Sequence, residues 1–239
     1  CDEELRLNRR LAPQLYLDVV PVCGPVFAPR IGCSGPVIDY AVRMKRFAPG
    51  ALLGERLAAG TLQATQIEAL ADRIAAFHSA AEVIPGGVDP DVPIDPATAS
   101  VRPVSKVLDQ LDAAVGVRRI APLRAWVQSR ATALAATFVA RARDGRVRDC
   151  HGDLHLDNAV VLEDDVTAFD CLEFDPSLRR IDVIGDVGFL SMDLKARGRP
   201  DLAHRFIDAW LARSGDYDGV AVLRFHEVYR ALVRALVAQ

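Results

Sequence analysis

Five side chains with ionisable or cation-binding chemistry fall within eight positions, His151, Asp153, His155, Asp157 and Asn158, and Asp170 follows twelve positions after the last of them. That density exceeds what a connector needs and suits proton transfer or cation binding. The residues after Asn158 indicate how the group is assembled. Ala159-Val160-Val161-Leu162 is an apolar run, Glu163-Asp164-Asp165 an acidic turn and Val166-Thr167-Ala168-Phe169 a second β-prone run, a pattern that reads as a β-hairpin. Entry to the first strand and exit from the second lie at one end of a hairpin, roughly 5 Å apart, so Asn158 and Asp170 are expected to be neighbours. An amide oxygen and a carboxylate at that separation suit a hard cation such as Mg²⁺, which takes oxygen ligands and completes its shell with water and phosphate. Asp153, five residues before Asn158, falls on the approach loop beside that cation. The alternative is a turn whose Asp and Asn side chains only cap helices and satisfy backbone donors.

Asp153-x-x-x-x-Asn158 with Asp170 has the spacing of the protein-kinase catalytic loop and its second metal-binding Asp. The string His-Gly-Asp-Leu-His-x-x-Asn, with no Arg before the Asp, resembles the aminoglycoside phosphotransferase and choline kinase branch of kinase-like folds. Arg148 to His155, taken with Phe169-Asp170-Cys171-Leu172-Glu173-Phe174, resembles a bacterial subgroup of that branch often joined to a P-loop kinase domain. The resemblance implies an α+β, protein-kinase-like fold, with a truncated N-terminal lobe and hinge over residues 1–47 and a mainly helical C-terminal lobe over 48–239. It implies ATP and Mg²⁺ as cofactors and a hydroxyl of a small molecule as acceptor. By the same resemblance Asp153 takes the hydroxyl proton, Asn158 and Asp170 hold Mg²⁺, and Met44, Lys45, Arg46 and Phe47 form the hinge that meets adenine. His151 and Asp186 support the loop, His151 from beneath and Asp186 by accepting hydrogen bonds from its backbone; helix-terminus charge stabilisation is the alternative for Asp186. Glu3 or Glu4 is a candidate for the glutamate that pairs a phosphate-binding Lys, and that Lys and its Gly-rich strand turn are expected upstream of Cys1. His155 and Glu173 are further candidates near the site, with a solvated role as the alternative for His155 and Asp157.

Two other readings use the same residues. His151, Asp153, His155 and Asp157 could ligate metals in a phosphoesterase or other hydrolase, although such a site needs further ligands, and His78, His204 and His226 lie on helical patterns. The second is a non-catalytic pseudokinase module.

Composition excludes several classes. A net charge of −3 gives no basic field for nucleic acid. No apolar run reaches the length of a membrane span, and the first twenty residues are too charged for a signal peptide. Five cysteines without framework spacing suggest reduced thiols and a cytoplasmic location.

The elements that must position these residues follow from periodicity. Cys1 to Leu11 carries a helical pattern, and 16–22, 25–31 and 37–47 are β-prone. An amphipathic helix is expected over 61–84 with Thr61 as N-cap, then a Pro- and Gly-rich loop over 85–103. Further helices are expected at 104–115, at 122–143, beginning from 179–190, at 200–213 and at 220–238. On the last of these Arg230 and Arg234 lie one turn apart beside Tyr229, which suits an acceptor bearing an anionic group. Surface pairing with Glu227 and other acids is the alternative.

Overall fold

The computed structural model describes residues 1–32, 35–85, 95–163 and 165–238. The chain opens with helix α1 (Asp2–Asn8), whose first turn carries Asp2, Glu3 and Glu4, the sign that the helix dipole favours there. It packs on a three-stranded antiparallel sheet of order β2-β1-β3, formed by β1 (Tyr16–Cys23), β2 (Arg30–Ile31) and β3 (Val37–Met44). The strand expected over 25–31 shrinks to two residues because Ala28 N–H bonds to Pro25 O at 2.8 Å and closes a turn. The strand expected to reach 47 ends at Met44, after which Lys45 N–H bonds to Leu15 O. Val26, Phe27, Ile31 and Tyr40 are exposed, so part of the apolar surface of this lobe is uncovered. Cys1, Cys150 and Cys171 are free thiols, whereas Cys23 is disulfide-bonded, against the expectation of reduced cysteines.

After β3 come α2 (Leu53–Ala58) and α3 (Ala64–Ala80). Thr61 does not cap α3: its hydroxyl bonds to Arg56 O at the end of α2, and Gln66 accepts from Gln63 N–H at 3.0 Å where α3 begins. The chain turns extended at Ala81, and Ile84 N–H bonds to Val147 O, which ends the helix short of 84. The loop expected over 85–103 is partly helix. Asp95 accepts from the N–H groups of Ala97 and Thr98, Pro96 takes the first helical position where no N–H is needed, and α4 runs Pro96–Val115 through Pro103. The rest of that expected loop, 86–94, lies outside the described residues. Helix α5 (Val117–Arg143) leads into β4 (Val147–Asp149).

The expected hairpin is present as β5 (Ala159–Leu162) and β6 (Asp165–Ala168), paired Ala159↔Ala168 to Leu162↔Asp165. Residues 180–182, expected to open a helix, form β7 (Arg180–Asp182) antiparallel to β4, which is bonded on its other edge through Ile84 N–H to Val147 O and Asp149 N–H to Glu82 O. Helix α6 (Ile184–Ala196) follows at once, with Ile184 N–H bonded to the Asp182 carboxylate at 3.0 Å. Helices α7 (Pro200–Ser214) and α8 (Val220–Val237) complete the helical lobe.

Helix α6 is the central element of that lobe, buried from Ile184 to Leu194 between α7 and α8. Gly188 allows the close crossing with α8, since a Cβ there would stand 3.0 Å from His226 Cβ and 3.2 Å from Glu227 N. Leu70, Ile74, Leu108, Leu190, Phe206, Trp210 and Phe225 belong to one continuous core. A smaller cluster of Leu15, Tyr16, Ala51 and Val160, with Phe47 and Phe169 packed on it, joins the sheet and hinge to the hairpin. The architecture is the expected one: a small lobe of helix and strands on a mainly helical lobe, with the acid-rich loop between them. No helix among the described residues is long and apolar enough to cross a membrane.

Candidate active site

Strand β4 delivers the chain to a loop that begins at buried Cys150 and ends in one 3₁₀ turn, Leu156–Asn158. Gly152 makes the first bend at φ +86°, where a Cβ would come within 3.0 Å of Leu178 O and of Leu172 Cδ1. Both the left-handed backbone and the lack of space demand glycine. Asp153 then points outward with its two carboxylate oxygens in different situations. Oδ2 accepts from Asn158 Nδ2 at 3.0 Å and lies 3.4 Å from His155 Nε2. Oδ1 accepts nothing among the described residues. Burial alone would raise Asp153, but the hydrogen bond and charge of His155, with His151 and Arg230, outweigh it and hold the carboxyl below its ordinary range.

Asn158 Nδ2 also donates to Asp153 O at 3.0 Å, which fixes the amide with its oxygen turned away and free of donors among the described residues. Across the hairpin Phe169 N–H bonds to Asn158 O at 3.0 Å, so Asp170 is the next residue out, adjacent to Asn158 as expected. Asp170 sits at φ 62°, a left-handed conformation that Asp tolerates better than most residues. Its N–H is tied to Tyr16 Oη at 3.2 Å, and its carboxylate oxygens accept no hydrogen bond among the described residues. Burial raises its pKa, and nearby Asp153 and Glu173 raise it further against the opposing effect of His151 and His155. Glu4 is raised by burial and by Glu173 and Asp170. Four carboxylates therefore converge, with two oxygen donors, Asn158 Oδ1 and Asp170, left open. Oxygen donors of this kind, in a field this negative, fit a hard divalent cation.

His151 and Asp186 brace the loop. His151 is fully buried: Nε2 bonds to Phe169 O at 2.8 Å, and Nδ1 faces Asp153 N–H at 3.3 Å. Burial lowers its pKa against the pull of Asp186, and the two ring contacts tie the two ends of the site together. Asp186 accepts from His151 N–H at 2.8 Å and Gly152 N–H at 2.9 Å. Its burial opposes charge, yet His78, His151 and these bonds hold it far below the ordinary carboxylate range.

Several supports were not found by sequence reasoning. His78, placed by the sequence on a helical pattern, links Trp210 Nε1, which donates to its Nδ1 at 3.2 Å, to Asp186, 3.2 Å from its Nε2. Cys150 lies close to both, but His78 and Asp186 are engaged with each other and with the loop, so the trio serves as a brace and not as a metal site. Asp193 accepts from Leu156 N–H at 3.0 Å. From α1, Asn8 accepts from Cys171 N–H at 2.8 Å, and the following Arg10 donates to Asp149 O and Cys150 O. The signal for Asp193 was present, as it lies seven residues after Asp186 on one helix face; Asn8 and Arg10 act across more than 130 residues and left none.

The remaining candidates separate. His155 lines the site, its Nδ1 facing Asp157 N–H and its ring 5.6 Å from that of Phe189. Asp157 turns away to Arg197 at 2.6 Å. The four supposed metal ligands of the hydrolase reading thus diverge: His151 is bonded beneath the loop and Asp157 is paired elsewhere. Glu173 lies with Glu4 among the acids around Asp170. Glu3 pairs with Arg6 and Arg179, which leaves Glu4 as the glutamate facing the site without a basic partner among the described residues. Lys45 lies 4.0 Å from exposed Glu163, and Arg46 and Phe47 line a cavity with it. A cavity of about 530 Å³ there is bounded by Leu15, Lys45, Arg46 and Phe47 on one side and by Val161 and Leu162 of the hairpin on the other. Met44 lines a smaller neighbouring cavity with the same three hinge residues. Arg230 is buried and Arg234 exposed, and Glu227 pairs with neither, being taken by Ser191, Lys195 and Arg224.

The family model described as the phosphotransferase enzyme family, APH, matches residues 1–226. The chain is 29% identical over 238 residues to an uncharacterized protein of Mycobacterium tuberculosis strain H37Rv and equally to one of Mycobacterium bovis, covering 99% of this chain and 46% of each relative. It thus spans about half the length of the curated relatives it matches. A solved glucosamine kinase in complex with glucosamine, ADP and inorganic phosphate has a similar fold, with a TM-score of 0.50 and 23% identity over 85% of this chain and 57% of that one. A second glucosamine kinase structure gives 0.51 at 23% identity, over 84% and 59%.

Proposed function

The chain belongs to the phosphotransferase enzyme family, and from that premise we propose that it transfers the γ-phosphoryl group of ATP to a hydroxyl of a small molecule. The observation that carries this reading is the divided role of Asp153, one oxygen clamped by Asn158 and His155 and the other open. An acceptor hydroxyl bonded to Oδ1 is oriented by a carboxylate that cannot rotate away, and Oδ1 takes the proton as the oxygen–phosphorus bond forms and the bond to the leaving diphosphate breaks. Most of the rate gain then comes from positioning and charge stabilisation. Mg²⁺, held by Asn158 Oδ1 and the Asp170 carboxylate, supplies neutralisation of the phosphate charge when bound. Asp186 and His151 keep the loop in one shape while this happens.

Residues 1–47 act in this reading as part of the nucleotide lobe with its hinge, and 48–239 as the catalytic lobe. Adenine enters the cavity between Met44–Phe47 and the hairpin, and Glu4 meets the phosphate-binding cation of such folds. ADP in a structural neighbour's complex supports nucleotide use. The acceptor is not carried over from that neighbour, because a shared fold does not carry substrate identity. The other half of the relatives' length leaves room for a further domain, for which the sequence resemblance suggests a P-loop kinase domain.

The test follows ADP formation against a panel of hydroxylated metabolites, in this chain and in one extended upstream. Asp153→Asn keeps size and removes the proton acceptor, so turnover falls by orders of magnitude while affinity for Mg·ATP holds. Turnover within a fewfold of the parent, with chemistry shown to be rate-limiting, would remove Asp153 from its role.

A further inference from the structure

The buried charge least accounted for lies beside the catalytic loop. Arg230 on α8 is 3% exposed, and neither its Nε nor its Nη2 finds a hydrogen-bond partner among the described residues. Its contacts are aromatic: the guanidinium carbon stands 4.9 Å from the Phe189 ring centroid and 5.0 Å from that of Tyr229. No acid among the described residues hydrogen-bonds to it. Asp182 and Asp216 are both taken by Arg141, Glu227 by Lys195, Ser191 and Arg224, and Asp153, whose carboxyl its charge helps to hold low, is bonded to Asn158 and lies against His155. Stacking on two rings offsets only part of the cost of removing a guanidinium from water, and a buried cation without a hydrogen-bonded anion is strongly unfavourable. Such a residue is explained by an anion that arrives with a ligand.

The two vacant donors define that anion. Nε and Nη2 form the side-on fork of arginine, which matches the two oxygens of a carboxylate. This chain uses the fork that way repeatedly: Arg141 bonds Asp182 through Nε at 2.6 Å and Nη2 at 2.8 Å, and Arg199 bonds Asp201 in the same manner. Arg230 lines a cavity of about 50 Å³ between α4, β7 and α8, room for several water-sized atoms and so for a carboxylate with the carbon that bears it. His226 lines it too and adds a buried ring nitrogen, Nε2, with no hydrogen-bond partner among the described residues.

The cavity adjoins the transfer site. Leu178 forms part of its wall, and Leu178 O is one of the atoms that crowd Gly152. On the other side Phe189 stands between Arg230 and His155, and His155 lies 3.4 Å from Asp153. We propose that Arg230, with His226, forms a carboxylate subsite for the phosphate acceptor, so that the acceptor is a hydroxylated carboxylic acid and not a neutral sugar or an amine. This rests on the phosphotransferase reading for the word acceptor, though not for the carboxylate.

The experiment measures melting temperature of the chain without nucleotide, with D-glycerate and D-gluconate as carboxylate probes and glycerol, D-glucitol and D-glucosamine as uncharged and cationic counterparts. It is run on the parent, Arg230→Met and Arg230→Lys, each first compared unliganded to confirm folding. The two carboxylates are expected to raise the melting temperature of the parent while their counterparts do not. Arg230→Met, which loses the cation but fills the same space between the rings, shows no such rise. Arg230→Lys, which keeps charge and loses the fork, binds gluconate about tenfold more weakly or worse. Carboxylates that stabilise Arg230→Met as much as the parent, that stabilise neither, or that are outdone by glucosamine overturn the proposal. Titration of Mg·ATP into the same proteins keeps the two readings apart, since failure to bind nucleotide defeats the phosphotransferase reading and leaves the carboxylate result standing.

Discussion

Asp186→Asn isolates the brace from the chemistry, because it preserves shape and removes charge one step away from Asp153. Asp186 accepts three hydrogen bonds, with Oδ2 serving His151 N–H and His78 Nε2 and Oδ1 serving Gly152 N–H. An asparagine can place its single oxygen at one of these positions only. The cheaper choice puts oxygen where Oδ2 was and leaves its amide nitrogen facing Gly152 N–H. His78 cannot relieve the other arrangement by moving its proton to Nδ1, since Nδ1 accepts from Trp210. One buried donor is then orphaned, at about 1–3 kcal/mol, and two charge-assisted bonds become neutral, at about 1 kcal/mol each. The sum, about 3–5 kcal/mol, is a large part of the 5–15 kcal/mol that typically separates folded from unfolded chains. Urea unfolding followed by tryptophan fluorescence should show a midpoint lowered by about 1–2 M, and amide exchange should show lost protection at His151 and Gly152. A midpoint within a few tenths molar of the parent, with both amides still protected, would refute the brace.

Asp170→Asn should have opposite effects on stability and on binding. Asn keeps the left-handed backbone tolerable and removes the repulsion from Asp153 and Glu173, so the unliganded protein should melt at a higher temperature at neutral pH while calorimetry shows weakened Mg·ATP binding; a lower melting temperature, or unchanged affinity, would refute the assignment. Acidification should destabilise in two stages. Burial holds His226 neutral with its pKa lowered to about 4, so between about 6.5 and 4 the unfolded chain takes up a proton that the folded chain refuses, and stability falls by on the order of 3 kcal/mol. At lower pH the depressed carboxyls of Asp182 and Asp186 lose their contribution as well, since the unfolded state protonates them first. A His226→Gln protein with the same loss between pH 6.5 and 4 would show that His226 is not its source.

What the sequence made legible was local. The hairpin could be read because its two strands and turn are contiguous, and from it the adjacency of Asn158 and Asp170 followed by geometry alone. The motif resemblance added His151 and Asp186, whose hydrogen bonds tie the loop to Phe169 and to α6. Strand β7 was missed because its partner β4 lies more than 30 residues away, and three residues beside a helical pattern look like its first turn. Helix α4 was cut short because Pro103 reads as a breaker, whereas Asp95 and Pro96 had already nucleated the helix and buried Val104, Leu108 and Leu111 hold it on the core. The pair Arg230 and Arg234 shows the limit most clearly. Helical spacing places both on one stripe and assigns them one fate, yet packing against Phe189 buries the first and leaves the second in solvent. Burial converts identical residue types into different chemistry: a solvated arginine needs no partner, and a buried one requires an anion. Which of the two would be buried depended on α6, whose position was set by a core assembled from residues far apart in the chain.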